Sequence, residues 1–173
     1  MNSHSMSAGN QKLRELIILA LLAALMFATQ VALSALPNIH LVAVIVILAA
    51  MLFGWKALYS VYVFVLLEGL LYGFSMWFVN YLYVWTVLTV IAVVFRSNRS
   101  KWFWAVVAGI FGLLFGALCS IPYFFVGGWA AAFSYWIAGI PFDLLHCVSN
   151  AVLTFVLLNP LYKLCCKILG RQV

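Results

Sequence analysis

The sequence predicts an all-α membrane protein: a bundle of six transmembrane helices with both termini on the cytoplasmic side. Three observations lead there. Of the 173 residues 68% are apolar and only 7% charged, with a mean hydropathy of +1.19, whereas soluble domains carry roughly a quarter charged residues. The apolar residues gather into runs on the scale of the ~20 needed to cross ~30 Å of hydrocarbon. And the nine Lys and Arg residues all fall on one side once six crossings are drawn.

Taken in order, residues 13–36 form the first run, broken by Pro37-Asn38. Residues 39–53 form a shorter second run, short enough to be tilted or partly re-entrant. Gly54-Trp55-Lys56 reads as a turn, 57–78 as the third span, and Asn80 as a tight connection to the fourth, 81–95. The loop RSNRSK, residues 96–101, is the one strongly polar internal segment. The fifth span is 102–125, a glycine-containing connection covers 126–133, and the sixth span is 134–164. Residues 13–168 make one transmembrane domain. Residues 1–12 are small and polar, lack a signal-peptide pattern and read as a disordered tail. A second methionine at Met6 is compatible with a leader foreign to the natural chain.

The basic residues are Lys12, Arg14, Lys56, Arg96, Arg99, Lys101, Lys163, Lys167 and Arg171. Six crossings place them at the N-terminus, in loops 2–3 and 4–5, and at the C-terminus; the opposite loops carry none. By the positive-inside rule that shared side is the cytoplasm. The net charge of +6 is thereby a topology signal and gives no support to nucleic-acid binding. Cys119, Cys147, Cys165 and Cys166 lie in or beside apolar runs without C-x-x-C spacing, and read as reduced thiols.

Small residues mark where helices touch. Ala20, Ala24, Ala28 and Ala32 recur every fourth residue down one face of the first span, letting another backbone approach closely. Internal packing and a partner-facing groove both fit that stripe, and the bulky Leu and Met elsewhere on the helix favour the groove. Gly109, Gly112 and Gly116 make a second small face, read as internal packing.

Asp143, His146 and Asn150 share one face of the sixth span, at i, i+3 and i+7. Pro141 reads as part of a helix's first turn, where its missing N–H costs nothing. Glu68, Tyr72 and Ser75 share a face late in the third span. Asn80, Tyr81, Tyr83 and Trp85 open the fourth, Tyr123 ends the fifth, Trp129 lies in the connection, and Tyr135 and Trp136 begin the sixth. An aromatic belt at headgroup level explains part of the ring set, with Trp102 and Trp104 in the cytoplasmic belt. It does not explain the deeper Glu68, Asp143, His146 and Asn150, which either lock the bundle as a hydrogen-bonded network or face a ligand. No catalytic motif, metal-ligand set or Walker A motif is present, so the chain reads as a non-enzyme needing no cofactor or metal.

Six spans in this length, an AxxxA-type first helix, cytoplasmic termini and the F-D-L-L-H-x-x-x-N pattern of residues 142–150 resemble the substrate-binding S-components of energy-coupling factor (ECF) transporters. The segment LPNIHLVAVIVILAAMLFGWKALY resembles their first loop and second helix. The resemblance implies a multi-pass subunit of the bacterial cell membrane that captures a vitamin on the outer side. It further implies docking through the alanine face onto a transmembrane scaffold subunit and two cytoplasmic ATPases, which supply the missing motor. The implied pocket comprises Pro37, Asn38, Ile39, His40, Glu68, Tyr72, Trp77, Asn80, Tyr81, Trp85, Trp129, Tyr135, Trp136, Asp143, His146 and Asn150. With no Lys or Arg on the outer half, a flat heteroaromatic of the hydroxymethylpyrimidine or pyridoxine type fits best, with cobalamin or pantothenate as further family ligands. The alternative is a stand-alone proton-coupled carrier, although residues 13–78 and 81–165 show no inverted repeat.

Overall fold

In the computed structural model, which describes residues 8–36 and 38–170, the chain is helical, with no strand among the described residues. Its elements are α1 (Ala8–Ala32), α2 (Val42–Phe53), a 3-10 turn (Gly54–Lys56), α3 (Ala57–Tyr72), α4 (Met76–Val94), α5 (Lys101–Leu113), α6 (Phe115–Cys119) and α7 (Ile121–Leu169). Pro37, Arg171 and the first seven residues of the expected tail lie outside the described residues. Residues 8–12 belong to α1 rather than to a tail, since Gln11 and Lys12 prolong a helix readily.

Side-chain contacts fix the direction of each element. Lys56 Nζ pairs with Glu15 at 2.6 Å, Ser60 Oγ donates to the Leu19 carbonyl at 2.7 Å, and Gln30 Nε2 donates to Glu68 at 3.2 Å. Residue numbers rise together along both helices, so α1 and α3 run the same way and α2 makes the return between them. The Tyr62 and Thr86 hydroxyls meet at 2.9 Å while Gly69 faces Phe74 and Phe78, which sets α3 antiparallel to α4. Tyr83 donates to the Leu118 carbonyl at 2.6 Å and Phe95 packs on Phe103 at 5.4 Å, which sets α4 antiparallel to α5 and α6. The α5–α6 stretch runs against α7, from Trp102–Phe155 at 4.4 Å to Gly116 N–H donating to Asp143 at 2.9 Å.

Three boundaries differ from the sequence expectation. The third helix stops at Tyr72, because Gly73 takes φ 84, a conformation that costs other residues dearly. Met76–Asn80 therefore belongs to α4, and Ser75 takes the extended position just before that helix instead of continuing the α3 face. The fifth run is interrupted at Leu114, where Asp143 takes the Gly116 N–H that would otherwise face an apolar interior. The expected 126–133 connection shrinks to Gly128 (φ 70, ψ −166), the one non-helical residue inside α7. Tyr123 and Tyr135 stack across it at 4.2 Å, so the chain folds back there. Helix resumes well ahead of Pro141, which consequently lies inside α7 and not in a first turn.

Every residue of α2 is buried. A helix apolar all round is the kind that sits inside a bundle, and α1, α3, α4 and α7 surround this one. Gly109 faces Cys147 and Ala151, and Gly112 lies against the His146 backbone so closely that a Cβ would come within 2.7 Å of it. The glycine face is internal packing. Trp104, expected in the cytoplasmic belt, is fully buried, and its Nε1 donates to the Asn98 carbonyl at 3.0 Å. Trp102 does stay exposed. All four cysteines are free thiols.

Four stretches are long and apolar enough to cross a bilayer: Gly9–Ala32, Val42–Tyr72, Met76–Val94 and Ile121–Leu169. The second is folded back at its 3-10 turn, as the shared direction of α1 and α3 requires. Outside the core, Leu13, Leu21, Val148, Val152 and Val156 leave apolar surface exposed along α1 and α7. Such a surface around a complete interior is that of a membrane protein.

Candidate ligand-binding site

Two cavities lie where α1 and α3 end and α4 begins, at the end of the molecule away from the basic residues. The first, of about 360 Å³, is lined by Gln30 and Ser34 of α1 and the turn after it, by Asn38 and His40 of the following loop, and by Glu68, Tyr72, Trp77, Tyr81 and Phe115. The second, of about 350 Å³, is lined by Asn38, Phe115, Gly116, Cys119, Tyr135, Phe142 and Asp143. They share Asn38 and Phe115 as a common wall. No Lys or Arg lines either one among the described residues.

The loop after α1 is strapped to α7. Asn38, in the left-handed region at φ 58, donates from Nδ2 to the Phe142 carbonyl at 2.9 Å. Ser149 Oγ donates back to the Asn38 carbonyl at 2.7 Å. Asparagine tolerates that backbone conformation better than most residues, so one side chain shapes the turn and ties it down. The strap presses His40 into the bundle, where it meets His146 at 5.0 Å and Trp85 at 5.9 Å, ring edge to ring face.

Each carboxylate is held by one oxygen. Glu68 Oε2 accepts from Gln30 Nε2, which also donates to Tyr81 Oη at 3.0 Å. Asp143 Oδ1 accepts from the Gly116 N–H. The other oxygen of each, Glu68 Oε1 and Asp143 Oδ2, is buried with no partner among the described residues. The same holds for Gln30 Oε1, His40 Nδ1, Trp85 Nε1 and both ring nitrogens of His146. An unpaired buried polar atom costs about 1–3 kcal/mol, and this region concentrates seven of them. What the arrangement offers is hydrogen bonding, and two carboxyl groups without a cationic partner, in an aromatic enclosure. Among the described residues no three His, Cys, Asp or Glu side chains gather as a metal site.

The structure therefore sorts the residues singled out from the sequence. Asn38, His40, Glu68, Tyr72, Trp77, Tyr81, Tyr135 and Asp143 line the cavities. Trp85 and His146 stand immediately behind, fully buried, with Phe115 packed on both at 5.7 and 4.8 Å. Asn80 and Asn150 line neither cavity: Asn80 Oδ1 accepts from Tyr83 at 3.2 Å, and Asn150 Nδ2 reaches the Ala108 carbonyl at 3.4 Å. Trp129, 80% exposed, packs on Phe124, and Trp136 packs on Phe133, both away from the cavities. Pro37 lies outside the described residues.

Gln30, Ser34, Phe115, Cys119 and Phe142 are among the lining residues that sequence reasoning missed. Gln30 had a readable signal, as the only amide in the first apolar run. Phe115 had none, being one ring in an apolar stretch. Ala20, Ala24, Ala28 and Ala32 are all exposed, on the side of α1 opposite Leu19, Leu22, Ala23 and Met26. No known protein family, curated protein or solved structure matches this chain.

Proposed function

We propose that this chain is the substrate-binding subunit of an ECF-type importer, crossing the bacterial cell membrane six times with its termini in the cytoplasm. It captures a vitamin or vitamin precursor, of the hydroxymethylpyrimidine or pyridoxine kind, on the outer side. It then delivers that ligand by docking on a transmembrane scaffold subunit served by two cytoplasmic ATPases, so ATP hydrolysis belongs to the partners. The observation that carries the reading is the pair of cavities bordered by buried, unpartnered polar atoms at the end free of Lys and Arg. Ionisable groups at that depth are costly unless they serve a ligand or a partner. The positive-inside rule puts the basic end in the cytoplasm and turns the cavities outward.

The alanine stripe supports the docking part of the reading. Its four residues are exposed, and side chains this small leave a shallow lane in which another helix can approach closely. The test is co-purification of the tagged chain from membranes that also contain scaffold and ATPases. Ala24→Trp should abolish recovery of those subunits while leaving ligand affinity unchanged, and full recovery would remove the docking face. Uptake by the chain alone in vesicles carrying only a proton gradient would establish the stand-alone carrier instead.

A further inference from the structure

The two carboxylates are built alike, and each lines one of two cavities that have Asn38 and Phe115 in common. Glu68 is 2% exposed and Asp143 3%, each with one oxygen bound by a protein N–H and the other unpartnered at its own cavity. The cavities differ in their far walls and share a near one, Phe115 with Asn38 facing it. Phe115 meets Tyr81, Trp85, Phe111 and His146 only edge-on or tilted, never stacked. Phe115 is only partly buried and lines both cavities, so part of its ring is left to whatever lies between them. Each cavity alone sits near the lower end of the roughly 300–1,000 Å³ range of ligand sites, and the two together lie well inside it.

We propose that a single two-ended ligand spans both cavities, an amine or other cationic heteroaromatic that carries hydrogen-bond donors at each end. One end binds Glu68 Oε1 and Gln30 Oε1, the other binds Asp143 Oδ2, and the apolar middle crosses the face of Phe115. Charge selects the class. A buried carboxyl with no Lys or Arg beside it offers a ligand carboxylate or phosphate no counter-charge, whereas a cation is the partner that favours its ionised form. Length selects within the class, because a ligand with one donor end leaves the second carboxylate oxygen unpaired and buried. Phe115 is then a specificity-determining residue that sets how the two halves are joined.

The inference rests on the receptor reading and is tested separately from it. Three diphenylmethane probes of matched length are titrated into the full-length purified chain: one with aminomethyl groups at both para positions, one with a single such group, and one with carboxymethyl groups at both. The diamine should bind about ten-fold more tightly than the monoamine, the worth of one additional charged hydrogen bond, and the dicarboxylate should not bind. Glu68→Gln and Asp143→Asn should each bring the diamine down to the monoamine's affinity, with melting curves confirming folded protein. Should either variant fail to fold, the comparison of the three probes on the unaltered chain decides. A diamine no tighter than the monoamine, a diamine indifferent to either substitution, a dicarboxylate that binds as well, or no binding by either amine overturns the two-ended ligand. Those results leave the receptor reading to its own test, the recovery of scaffold and ATPases.

Discussion

The two ends of this molecule handle charge in opposite ways. At one end Lys12, Arg14, Lys56, Arg96, Arg99 and Lys101 stand exposed, and their contacts are loose and interchangeable. Lys56 pairs with Glu15, Arg99 lies over the Tyr162 ring at 4.5 Å, and Lys101 lies over Phe155 at 4.3 Å. At the other end the described residues include two acidic side chains, both buried, each held by one specific donor. The first pattern needs only a sum of charge near a membrane surface. The second needs particular atoms in particular places. A count of charged residues sees the first and is nearly blind to the second.

That contrast can be broken or sharpened by substitution, beginning with the framework that brings Asp143 and His146 inward. Gly112→Val sets a branched side chain against the His146 backbone, where even a Cβ comes within 2.7 Å. The change should destabilise the protein by about 3 kcal/mol or more, read as loss of folded protein on size-exclusion chromatography. Gly139→Ala, with nothing within 4 Å of the added Cβ, should behave as the unaltered chain. Wild-type behaviour of the Gly112 variant would dissolve the close α5–α7 contact.

His146→Ala removes a ring that backs the cavity wall through Phe115 and His40. Ligand affinity should fall by about 2- to 12-fold, the worth of ~0.5–1.5 kcal/mol of aromatic packing behind the lining, in protein that still folds. Asn150→Ala separates the polar stripe into its parts. Its amide reaches the Ala108 carbonyl and lines no cavity, so melting should show a loss of about 1 kcal/mol while affinity holds. Weakened binding without lost stability would move Asn150 into the site. The smallest effect belongs to the basic end. Lys56→Met breaks an exposed ion pair and should change stability by less than ~1 kcal/mol, less still in high salt; a larger, salt-independent loss would mean that the pair is structural.

Much of the architecture was legible because hydrocarbon imposes simple rules. Apolar run length announced the helices, and the glycine face announced internal packing, which the structure places against α7. The inward face of Asp143, His146 and Asn150 was readable from spacing alone. What spacing could not give is which of the three reaches the cavity, since that depends on how far α5 and α6 cover each residue. Helix ends were misjudged where one residue's backbone decides them: Gly73 stops a helix inside a stretch read as helical throughout, and the connection expected over 126–133 narrows to Gly128 alone. Phe115 escaped for a different reason. Its role comes from four rings supplied by α4, α5 and α7, and no local pattern encodes that meeting.

The short, fully enclosed α2 also sets a depth. Twelve residues at 1.5 Å each span about 18 Å, against about 30 Å of hydrocarbon. In the proposed orientation its cytoplasmic end is fixed by the turn at Lys56, so its other end stops roughly 12 Å short of the outer boundary. The His40 loop dips into that shortfall and brings the cavity floor down with it. A bound ligand would thus rest below the level of the lipid headgroups, in a well walled by helices longer than the one beneath it. Reaching that well means shedding water on the way in, and the buried acids are what stand ready to replace it.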